Sequence, residues 1–192
     1  ARIIRGSLFS SDPHHTDEGT RFLVTSGPAQ RAVHSAGGLC PLALARCYSK
    51  AAQMVIDTST EFGRRVVQRL QHDELLWLTT VSRDGTPQPS LIWFFWDGDT
   101  VLIYSQPNAP KIRNIAANPR VSLNFQANEE GEDVIILTGE AIPDPAAPPS
   151  DHHDEYRSKY ARATAQIGYT PQSLAAEFSL AIRVTLAKVR GF

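Results

Sequence analysis

Two Asp-Gly pairs, Asp84-Gly85 and Asp97-Gly98, limit most tightly what this chain can fold into. Such pairs accept the left-handed backbone of a tight hairpin turn, and both lie between apolar, β-branched and aromatic runs. The runs 75–81, 88–96 and 100–106 are therefore expected to be three strands of an antiparallel meander. Pro87 and Pro89 remove two ladder donors at the start of the second strand, which puts that end at an edge or rim. Asn108-Ala109-Pro110 opens a short helix, with Asn108 as cap and Pro110 in the first turn, and the helix stops before Asn118-Pro119. Strands follow at 121–126 and 134–142, joined by an acidic turn over 128–133. Four prolines in residues 143–149 make a loop. Ser150 is read as the cap of one helix reaching about residue 166, and Thr170-Pro171 opens another to about 178. A last strand covers 180–189, with Leu180, Ile182, Val184 and Leu186 on one face. Ahead of the strands, Thr58-Ser59-Thr60-Glu61 reads as a capping box. Phe62, Val66, Val67 and Leu70 then give an amphipathic helix ending near His72. The expected fold is mainly β: a six-stranded antiparallel barrel with peripheral helices.

Residues 1–53 have a different texture. They carry six Lys or Arg against three Asp or Glu, and no sustained period of 2 or 3.6. The expected organisation is a non-core extension over 1–53, disordered or an artefact of start-site choice, and a barrel domain over 54–192. Met54 is the one methionine of the chain, and ordered patterning begins directly after it. We therefore read it as the natural start.

The net charge of −1 disfavours a general nucleic-acid binder, which needs an excess of cations. No apolar run reaches the roughly 20 residues that cross a bilayer as a helix. Cys40 and Cys47 are too few and too far apart for a disulfide framework or a C-x-x-C centre. Arg outnumbers Lys 15 to 4, the coding bias of a high-GC bacterial genome.

Three stretches could carry chemistry. In S-Q-P-N-A-P-K-I-R (105–113) a strand ends in Ser105 and Gln106 and a helix begins at once. Lys111 sits in its first turn and Arg113 just after. Free amides and the positive end of a helix favour an anion, so this is either a phosphate cradle or an ordinary solvated helix start. In P-Q-P-S-L-I-W (87–93) polar Ser90 sits among apolar neighbours. The strand could face a flat heterocycle, or its aromatics could be plain packing. Asp151-His152-His153-Asp154-Glu155 resembles a metal cluster, but adjacent helical residues diverge by about 100°, and acids suit a helix start. It reads as a solvated helix start, and no metal ligand is assigned. No G-x-S-x-G, H-E-x-x-H, P-loop or G-x-G-x-x-G is present, so no catalytic side chain is named. Any hard chemistry would belong to a cofactor.

The order of these pieces resembles the pyridoxamine 5′-phosphate oxidase-like, FMN-binding split β-barrel superfamily. They are T-V-S-R-D-G-T-P-Q-P-S (80–90), W-D-G-D (96–99), S-Q-P-N-A-P-K-I-R-N (105–114), N-P-R-V (118–121) and the C-terminal V-R-G-F. Within the superfamily the chain looks most like the actinobacterial branch of coenzyme F-420-dependent enzymes. The resemblance covers about 58–192. It implies a Greek-key split barrel and a cytoplasmic homodimer with cofactor at the subunit interface. It places Ser90, Leu91, Ile92 and Trp93 at the ring, and Ser105, Gln106, Lys111, Arg113 and Asn114 at the phosphate end. One departure is Leu186, where relatives often have Pro. The implied activity is hydride transfer from reduced F-420 to a conjugated or unsaturated small molecule. The alternatives are an FMN-dependent oxidase or reductase, and a non-catalytic protein that binds F-420, flavin or haem.

Overall fold

The computed structural model describes residues 56–192; the expectations for 1–53 and for Met54 lie outside them. The elements run α1 (Glu61–His72), β1 (Leu75–Val81), β2 (Pro87–Trp93), β3 (Phe95–Trp96), β4 (Thr100–Ser105), α2 (Pro110–Ala117), β5 (Arg120–Asn124) and β6 (Ile135–Pro143). A 3-10 turn (Ser150–His152), α3 (Asp154–Gln166), α4 (Pro171–Glu177) and β7 (Leu180–Gly191) complete the chain. Among the described residues no helix is long and apolar enough to cross a membrane.

The strands form one antiparallel sheet in the order β2-β1-β5-β6-β7-β4-β3. Its outermost strands, β2 and β3, are separated in the chain by Phe94 alone. The two edges must therefore meet, and the sheet curls into a split barrel. β4 lies beside β7, and the long connection through α2 carries the chain to β5 on the far side, a Greek-key arrangement.

Seven strands replace the six expected, because run 88–96 divides at Phe94. β2 pairs only with β1, and β3 pairs only with β4, so the first strands are two hairpins on opposite edges rather than one meander. The Tyr160 hydroxyl supports the break. Its oxygen accepts from the Phe94 N–H at 2.9 Å and lies 2.8 Å from the carbonyl oxygens of both Phe94 and Glu74, to either of which the hydroxyl can donate. The edge position expected of the proline-bearing strand is found.

Both Asp-Gly turns form. Gly85 and Gly98 take φ of +88° and +102°, and the carboxylates of Asp84 and Asp97 cap the backbone N–H groups of Thr86 and Thr100. Arg183 on β7 ties the second turn to the loop after β6, reaching Asp97 at 2.7 Å and Asp144 at 2.6 Å. Ala187 is an extra residue in β7 opposite the Thr138–Gly139 step of β6, so the ladder bulges there.

Leu76, Leu78, Ile92, Phe94, Val101, Ile103, Ile182, Val184 and Leu186 fill the barrel. A second apolar layer lies outside it, where α3 places Tyr156 and Tyr160 against Leu102, Tyr104 and Ala181. Trp93 stacks on Tyr160, ring centroids 4.5 Å apart, and Phe95 meets the His153 ring. The outward aromatics of run 88–96, Trp93 and Phe95, are thus half-buried against α3 and its cap.

Three helix starts differ from expectation. α1 is capped by Thr60, whose hydroxyl accepts from the Gly63 N–H, and not by Thr58. α2 begins after Ala109 with no side-chain cap, so Asn108 does not serve. Ser150 opens a separate 3-10 turn, after which the His153 imidazole accepts from the Tyr156 N–H to start α3.

Candidate functional site

Side chains alternate along a strand, and directly paired residues of an antiparallel ladder share a face. Thr80 pairs with Gln88 and Leu78 with Ser90, so Ser90 and Thr80 follow the core residues Leu78 and Leu76 on the inner face. On β4, Val101 and Ile103 point into the barrel, and Ser105 continues that face. One end of the barrel therefore changes from apolar to hydroxyl-bearing at Thr80, Ser90 and Ser105.

α2 is seated on this end. Ile115 enters the core, and the buried Asn114 amide donates to Thr80 Oγ1 at 3.0 Å. That bond fixes the helix over β1. Ser105 is buried, with its hydroxyl 3.3 Å from the Gln106 carbonyl oxygen. The turn between β4 and α2 is closed by Ala109 N–H donating to the Gln106 carbonyl at 3.2 Å.

The start of α2 can receive an anion. Its first turn has no side-chain cap and no acidic residue. Lys111 lies in that turn, half-buried, and burial pulls its amine below the usual lysine range. Among the described residues it makes no ion pair or hydrogen bond. Pro110 has no N–H and the Ile112 N–H donates to the Ala109 carbonyl at 3.0 Å, so this turn offers an anion the Lys111 backbone N–H and its half-buried ammonium, which a phosphate would satisfy. Arg113 is exposed, and its guanidinium donates to the Asn108 carbonyl at 3.2 Å, which braces the same turn. These residues fit a phosphorylated cofactor.

The expected residues fall into groups. Ser105, Lys111, Arg113 and Asn114 all lie on or beside the start of α2. Gln106 is nearby, but its amide nitrogen is engaged by Glu177 at 2.6 Å. Along β2, Ser90 and Leu91 are half-buried on opposite faces, Ile92 is in the core, and Trp93 lies under α3. The side chains of Ile92 and Trp93 are thus engaged in packing, and Ser90 and the strand backbone are what β2 offers a flat ring. Thr80 and Glu177 were not expected at the site. Thr80 had a signal, a polar residue at the inward position of the Leu76, Leu78, Thr80 alternation. Glu177 had none, since it is 71 residues from its partner.

Asp151–Glu155 brings no ligands together: His153 caps α3, and His152, Asp154 and Glu155 are exposed. Among the described residues no group of three or more His, Cys, Asp or Glu is placed to hold a metal ion.

A Greek-key split barrel closed at one end by a short helix with an open, basic N-terminus is the class that fold and site define. The chain belongs to the pyridoxamine 5′-phosphate oxidase family, whose sequence model matches residues 62–191. Solved structures are similar as well. An F420 reductase is 25% identical, with a TM-score of 0.51, covering 64% of this chain and 94% of that one. The conserved hypothetical protein Rv2991 from Mycobacterium tuberculosis is 16% identical, with a TM-score of 0.52 and coverage of 72% and 86%, a likeness of fold alone. A search of curated proteins finds no match.

Proposed function

We propose that the chain is an oxidoreductase that holds reduced coenzyme F-420 and lets it pass a hydride to a conjugated or unsaturated small molecule. The observation that carries this reading is the start of α2, which has no side-chain cap, with the half-buried Lys111 in its first turn, unpaired among the described residues. The 25% identity to an F420 reductase favours the deazaflavin over other phosphorylated cofactors.

When bound, the reduced deazaflavin supplies the hydride. The protein's own part is to bind and orient. Lys111 holds the phosphate with its ammonium and its backbone N–H, Asn114 keeps α2 in place through Thr80, and the β2 backbone with Ser90 lies along the ring. The protein's contribution is proximity and exclusion of water. The family match favours FMN as the second reading, with the same residues in the same roles.

We further propose a cytoplasmic homodimer with the cofactor at the interface. Its support here is the outer face of the β1–β2 hairpin, where Leu75 is 46% exposed and Trp77 and Leu91 are half-exposed. That face would meet a second copy.

Turnover tests the reading. Reduced F-420 mixed anaerobically with the full chain and a panel of conjugated acceptors should regain the oxidised deazaflavin spectrum faster than without protein. Bound F-420 that no acceptor oxidises would make the protein a carrier, and turnover with reduced FMN alone would select the second reading.

A further inference from the structure

Gln106 was expected to line the phosphate end of the site, and what holds its side chain decides what it can offer. Its Nε2 lies 2.6 Å from Glu177 Oε1, while the other carboxylate oxygen of Glu177 accepts from the Tyr169 hydroxyl at 2.5 Å. An ionised carboxylate only accepts, so the end of the amide facing Glu177 is the NH2 group. The planar amide then turns Oε1 away from Glu177. Among the described residues nothing donates to that oxygen.

Glu177 is itself held firmly. It ends α4, whose start is fixed by a reciprocal capping box between Thr170 and Ser173. Tyr169 directly precedes that cap, and Gln106 directly follows β4, its carbonyl held by the Ala109 N–H. The Glu177 bond raises the Tyr169 hydroxyl above its ordinary range, as expected of a donor pinned to an anion.

A phosphate needs donors, and the donor end of Gln106 is already engaged. A carboxylate close by would also repel a second anion. We propose that Glu177 is a positioning residue: it orients Gln106 so that the amide oxygen accepts from a hydroxyl of the cofactor's polyol tail, leaving the phosphate to Lys111 and α2. This rests on the cofactor reading above, and it divides the site into a phosphate part on α2 and a hydroxyl part at Gln106.

The test compares ligands that differ only in the tail, titrated into the full chain. For flavin these are FMN, riboflavin without the phosphate, and lumiflavin without the tail; for the deazaflavin they are F-420 and its phosphate-free riboside. Glu177→Ala should weaken the phosphorylated and phosphate-free ligands alike, by about three- to tenfold, and leave lumiflavin unchanged. Gln106→Leu should do the same, and the double variant should lose no more than either single one. In the ligand-free protein, the Gln106 side-chain amide should show a shifted, exchange-protected NMR signal that Glu177→Ala removes. A loss confined to FMN or F-420 would make Gln106 a phosphate donor and overturn the proposal while the cofactor reading stands. Equal losses for all ligands including lumiflavin, or no loss for any, would also overturn it. Wild type that binds none of the ligands would overturn the cofactor reading and this inference with it.

Discussion

Lys111 separates binding from folding, because it touches the proposed anion site and no charged partner among the described residues. Lys111→Ala should weaken F-420 or FMN binding about tenfold to a hundredfold, the worth of one charge-assisted hydrogen bond. The melting temperature of the ligand-free protein should barely move, and added salt should weaken wild type more than the variant. Lys159 is the opposite kind of residue. Its amine is buried with no hydrogen-bond partner among the described residues, 4.0 Å over the Phe94 ring, and burial lowers its pKa from 10.5 to about 8 against the pull of Asp73 and Glu74. The unfolded chain therefore holds a proton there that the folded one releases more easily. The cost to stability is full below pH 8 and fades as pH rises from about 8 to 10.5. Lys159→Met should stabilise the fold by about 1 kcal/mol at pH 7, allowing for the screening of a part-exposed group. Urea melts of the two proteins should converge across that alkaline window. These residues also show what sequence reading reaches. The grouping of Ser105, Lys111 and Arg113 at the start of α2 was legible because strand end and helix start adjoin in the chain, and local chemistry implies local geometry. Gln106's commitment to Glu177 was not legible, because it depends on where α4 docks.

Elements show the same division. The Asp-Gly hairpins, the edge position of β2 and the inward stripe of β7 all follow from turn chemistry and period 2, which are local. The break at Phe94 does not. Run 88–96 alternates without interruption, with Phe94 and Trp96 inward and Trp93 and Phe95 outward, so its pattern is that of one strand. What divides it is a change of hydrogen-bond partner, made tolerable by a tyrosine 66 residues away. Tyr160→Phe keeps the stacking on Trp93 and removes only the hydroxyl. It should leave the buried Phe94 N–H without a partner and destabilise the fold by about 1–3 kcal/mol. Equilibrium denaturation reads this directly, and a loss below about 0.5 kcal/mol would show that the break does not need the hydroxyl. Three of the four helix starts were misplaced, while Thr170 caps α4 as expected; at α1 two threonines, Thr58 and Thr60, stand within one turn, and sequence alone does not choose between them.

For the whole molecule, the β1–β2 outer face and the open start of α2 belong to one account, a dimer that holds its cofactor where two barrels meet. Light scattering at micromolar concentration should give twice the chain mass, and Leu91→Lys, which puts a charge on the proposed contact, should give monomers with an unchanged circular dichroism spectrum. A monomeric wild type would remove the interface from the account and leave the fold intact. The central claim is narrower, that the mouth of this barrel holds a phosphorylated deazaflavin. Equilibrium titration of the purified full chain with F-420 and with FMN, followed by fluorescence, tests it most directly. The account predicts saturable binding of F-420, tighter than that of FMN; no saturable binding of either would contradict it.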